Sequence, residues 1–74
     1  MDNLQTIDAL VADGRLEEAV ASLSVMIEAG GDDDTLYFMR GKLRWRLGDR
    51  AGAASDYAVA ASLTPSSPAV RALA

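Results

Sequence analysis

Between Asp34 and Pro65 small and bulky residues recur at helical spacing around a single break, Gly48-Asp49. Gly41 interrupts a segment otherwise rich in large side chains, Tyr37, Phe38, Leu43 and Trp45, and Ala53 and Ala60 follow the break. A glycine in a helix interior costs about 1 kcal/mol relative to alanine, so it needs a reason. Close approach of another helix supplies one. The stretch therefore reads as two helices folded back on each other, touching at the small residues and filled by the large ones.

The rest of the chain fits the same scheme. Leu4, Ile7, Leu10 and Val11 form a helical stripe, with Asp2 or Asn3 as its N-cap and Asp13-Gly14 as its stop. Leu16, Ala19, Val20, Leu23 and Ile27 form a second amphipathic face, with Glu17 and Glu18 in the favourable first turn and Gly30-Gly31 at the end. One aspartate of the run Asp32-Asp33-Asp34 is expected to cap the third helix, from about Thr35 to Leu47. That helix carries three stripes: Leu36, Met39, Leu43 and Leu47; Phe38, Lys42 and Trp45; Tyr37, Arg40 and Arg44. Apolar residues on several faces place it between neighbours. Asp49 caps a fourth, alanine-rich helix, which Pro65 stops. Ser67-Pro68 opens a short fifth helix over residues 68–74. The interhelical gaps are short, so consecutive helices are expected to be antiparallel neighbours.

Composition narrows the chemistry. Seventy-four residues make one domain, which buries only about 60% of its unfolded surface. There is no cysteine and no histidine, so the usual thiolate and imidazole ligands and bases are missing. The aspartate run lacks the alternate spacing and distant glutamate of a calcium loop. No glycine-rich phosphate loop or nucleophile in context is present, and neither Asp8 nor Asp56 has a legible partner. No enzyme activity, cofactor or metal is expected. The N-terminus does not read as a signal peptide, and no apolar run approaches the roughly 20 residues that span a bilayer. A soluble, cytoplasmic protein is the expectation.

Net charge is −4, unevenly spread. Residues 1–34 hold nine acids and one base, −8; residues 35–74 hold two acids and six bases, +4. Exposed charge pairs contribute little, so attraction within one fold, or simple solvation, is preferred to head-to-tail association of copies. Arg40, Lys42, Arg44, Arg46 and Arg50 alternate around their helices, which favours solvated heads and packed stems over a phosphate site.

Shifting the chain by 34 residues lays Gly14 on Gly48, Ala19 on Ala53 and Leu23 on Tyr57. That period with helix–turn–helix content marks tetratricopeptide repeats. Residues 34–67 resemble this family through Tyr37, Gly41, Ala53, Tyr57 and Pro65, supported by Gly48-Asp49, Ala60 and Leu63. Residues 1–33 resemble a degenerate repeat, through Gly14, Ala19 and the turn between them, and residues 68–74 a capping helix. Arg40 and Arg44 depart from the pattern, standing where the family prefers leucine and tyrosine. Either their stems lie on the core with wet heads, or the local packing differs.

The resemblance implies an all-α fold of antiparallel helix–turn–helix repeats stacked as a short α-solenoid. It further implies a concave face, lined by the first helix of each pair, that binds a peptide or helix of a partner protein. Carried over, the candidate residues are Leu4, Asp8 and Val11, then Phe38, Lys42 and Trp45. Helical spacing leaves Trp45 open between groove and core. Only Lys42 suits a carboxylate clamp of the kind some family members carry, so none is expected. The alternative function is a self-associating scaffold, because two units and a stub leave apolar surface for a second copy. A further rival is RNA binding, since Gly14-Arg15-Leu16-Glu17-Glu18-Ala19 with Met26 and Gly30 is also similar to a pentatricopeptide repeat. The acidic balance argues against nucleic acid.

Overall fold

The computed structural model describes residues 3–31 and 33–64. Among these the chain is all-helical, with α1 Leu4–Ala12, α2 Leu16–Glu28, α3 Asp34–Arg46 and α4 Arg50–Leu63 and no strand. The stretch from Pro65, including the expected fifth helix over residues 68–74, lies outside the described residues.

Local chemistry explains six of the eight boundaries. The Asn3 side chain accepts a hydrogen bond from the Thr6 N–H, Asp33 from that of Thr35 and Asp49 from that of Gly52, all at 2.9 Å. Each satisfies a backbone donor that the first helical turn leaves unpaired. Thus Asn3 caps α1, and Asp33 is the aspartate of its run that caps α3. The first three helices stop in one way. The N–H groups of Arg15, Gly31 and Asp49 reach back to the carbonyls of Leu10, Met26 and Arg44, while Gly14, Gly30 and Gly48 take φ of 78°, 102° and 87°. This paired closure requires a left-handed residue, which glycine adopts without a Cβ penalty.

Each helix packs on its successor: α1 on α2, α2 on α3, α3 on α4. Ile7, Ala19, Leu23, Leu36 and Leu43 form the buried core, with Leu10, Val11, Leu16, Val20, Met26, Ile27 and Met39 packed against it. α3 lies between two neighbours, as its several apolar faces require. Against α4 the helix approaches closely at Gly41, where a Cβ would stand 2.8 Å from the Tyr57 ring and 3.3 Å from the Ala53 carbonyl oxygen. Ala53 and Ala60 are fully buried.

The third helix departs from expectation at its ends. It starts at Asp34, and Arg46 is its last residue. Leu47 becomes the C-cap, 42% exposed, because the chain has begun its reversal there, so it leaves the buried stripe of Leu36, Met39 and Leu43.

Candidate partner-binding groove

A groove of about 340 Å³ runs between α1 and α3. Ile7 and Val11 from α1, with Met39 and Leu43 from α3, give it an apolar floor. Asp8 edges it on the α1 side, Lys42 and Arg46 on the α3 side. The i,i+4 spacing within each set places its members on one helical face, so both walls follow from sequence periodicity.

The six residues singled out by resemblance divide between this groove and its surroundings. Asp8, Val11 and Lys42 line it. Leu4 is exposed on α1, one turn before Asp8. Phe38 is half-buried, its ring 5.7 Å from that of Tyr57 and tilted 42° to it, with the Lys42 ammonium 5.6 Å from its centroid. Trp45 is 55% exposed, and the Arg50 guanidinium lies 5.1 Å from its ring. Trp45 is therefore outside the core. It follows Leu36 by nine positions, two and a half turns at about 100° per residue, which puts it on the opposite side of α3.

Behind the groove lies a polar cluster that the sequence reading missed. Arg40 donates to both carboxylate oxygens of Asp56, from Nη2 to Oδ1 at 2.7 Å and from Nε to Oδ2 at 2.9 Å. Arg44 Nη1 adds a third bond, to Oδ2 at 3.0 Å. Arg40 Nη1 also donates to Ser24 Oγ at 3.1 Å, and that hydroxyl donates to the Val20 carbonyl at 2.9 Å. The Asp56 side chain is 3% exposed, those of Arg40 and Arg44 15% and 27%. Hydrogen bonding to Asp56 holds the Arg40 guanidinium above its usual pKa, against the opposing effect of burial. Among the described residues no buried side-chain polar atom lacks a partner.

Asp56, for which the sequence offered no partner, is paired, and of the two arrangements left open for Arg40 and Arg44 the structure has the second: their heads turn into the protein, which corrects the preference for solvated heads. The physical reason is register. Ala53, Asp56 and Ala60, at i, i+3 and i+7, share the buried face of α4, so the carboxylate sits where a core residue would and must find cations. Arg40 and Arg44, one turn apart on α3, are the cations in reach. The cluster ties α2, α3 and α4 together.

Among the described residues no group of three carboxylates gathers to hold a metal ion, and no helix is long and apolar enough to cross a membrane. Compared with family models, curated proteins and solved structures, this chain matches none.

Proposed function

We propose that this chain is a non-catalytic interaction module, two tetratricopeptide-like units stacked as a short α-solenoid, that receives a peptide or helix of a partner protein along α1 and α3. The observation that carries the reading is the groove: an apolar floor between two helices, edged by Asp8, Lys42 and Arg46. Helix-in-groove recognition uses this combination, with apolar anchors supplying affinity and rim charges supplying orientation. Exposed Trp45 beside Arg50 adds an aromatic anchor of the kind that dominates binding surfaces. A cysteine-free sequence fits a cytoplasmic setting.

The test is selection of a displayed random-peptide library against the chain, with Ala12→Arg as counter-selection. Ala12 lines the groove yet is exposed, so arginine there obstructs the groove without entering the core. Enriched peptides are expected to bind the parent chain and to lose at least about tenfold in affinity, or about 1.4 kcal/mol, on the variant. Circular dichroism verifies that the variant stays folded. Peptides that ignore the substitution would place recognition elsewhere.

A further inference from the structure

Resting on that reading, and specifying its partner, we propose that the occupant is an acidic segment of another protein, which sets an apolar side chain beside Trp45 and its carboxylates against Lys42, Arg46 and Arg50. Five cations lie between positions 40 and 50, and the fold separates them into two kinds. Arg40 and Arg44 are consumed by Asp56. Lys42, Arg46 and Arg50 are exposed, and among the described residues none has a carboxylate within 4.0 Å.

Two of these three cations stand over rings. Lys42 stands over Phe38 and Arg50 over Trp45, while Lys42 and Arg46 also edge the groove. Among the described residues Asp8 is the one carboxylate edging it. Lys42 and Arg46 thus put positive charge on the α3 edge of the groove, and the Phe38 and Trp45 rings lie further round the helix, on the side away from Leu36, where Arg50 of α4 meets Trp45. Charge complementarity selects a negatively charged occupant, and Asp8 opposite gives it a preferred direction. An isolated anion would leave the rings unused, whereas a peptide alternating carboxylates with apolar residues engages both.

Trp45 is the chain's only tryptophan, so its emission reports an apolar side chain set beside that ring. Three synthetic helical peptides are titrated: one with glutamates flanking a leucine stripe, the same peptide with glutamines, and the same with lysines. The glutamate peptide is expected to shift the emission saturably to shorter wavelength and to bind about tenfold or more tighter than the glutamine peptide, with the margin shrinking as salt rises. Lys42→Glu combined with Arg46→Glu and Arg50→Glu should erase that margin, with the helical spectrum retained because all three side chains are exposed.

Equal binding of the glutamate and glutamine peptides, both lost on Ala12→Arg, would overturn the acidic partner and leave the groove reading standing. No binding of the glutamate peptide would likewise overturn it, and the library selection then decides the groove on its own. Oligouridylate binding more tightly than the glutamate peptide would overturn it in favour of single-stranded nucleic acid. A blue shift with protein concentration alone would overturn it in favour of a second copy.

Discussion

Asp56 shows how much one residue governs in a chain this small. Its carboxylate accepts three hydrogen bonds from two arginines at 3% side-chain exposure. Removing one side of such a pair leaves the other charged and buried, which costs about 3–5 kcal/mol. Asp56→Ala is therefore expected to lower urea-unfolding stability by about the lower end of that range, since it takes the only carboxylate within 4.0 Å among the described residues from Arg40, while Arg44 keeps Asp49 at 3.9 Å. Arg44→Ala should cost clearly less, because the two-pronged bond from Arg40 remains. Equal losses in the two urea titrations would mean that the two-pronged bond from Arg40 does not hold the carboxylate on its own. This contact was partly within reach of the sequence: an aspartate three residues after one buried alanine and four before another occupies a core position. What the sequence lacked was the roll of α3, since arginines on its surface can turn their heads to water or to protein, and only the opposing carboxylate decides.

At the scale of the helix, the α3–α4 contact is set by the side chain that Gly41 does not have. Gly41→Leu adds volume where a Cβ alone would come within 2.8 Å of the Tyr57 ring. Overpacking of this kind costs about 1–3 kcal/mol. The gain in helix propensity offsets about 1 kcal/mol of that. A net fall in melting temperature is expected, and it should be smaller in a Tyr57→Ala background, where the ring is gone. A calorimetric scan of the four proteins completes the cycle. Helix starts and stops were legible because glycine, asparagine and aspartate act there through their own backbone neighbours. Leu47 was misplaced because its spacing continues the Leu36–Leu43 stripe, while the reversal at Gly48 cancels it one residue earlier. Trp45 was undecidable from spacing alone, since α3 shows aromatic and aliphatic residues on more than one face. Packing against α2 and α4 chose which of them stayed outside.

For the molecule as a whole the margin is thin. A domain of 74 residues has about 0.05–0.15 kcal/mol of stability per residue, so losing one core side chain matters. Leu23 is fully buried in the cluster with Ile7, Ala19, Leu36 and Leu43. Truncation of a leucine at such a site costs about 2–5 kcal/mol. For a domain of this size each 1 kcal/mol corresponds to about 4–8 °C in melting temperature. Leu23→Ala should therefore melt at least about 10 °C below the parent chain by circular dichroism. Val25→Ala, two residues on but half-exposed, should be nearly silent. The groove's apolar floor could be assembled from the sequence stripes, because residues facing the core at i,i+4 also face the seam between helices. The division of cations into paired and unpaired could not.

The two walls of the groove are not held equally. α3 is gripped by helices on both sides and by the Asp56 cluster, whereas α1 has nine residues and packs chiefly on α2. Among the described residues transient opening is therefore expected to begin at α1, with the amide protons of that helix the first to trade with solvent. The proposed receiving surface is thus also the most easily dismantled among the described residues, so an occupant that bridges both walls would act as a clasp, slowing deuterium uptake along α1 more than elsewhere among those residues.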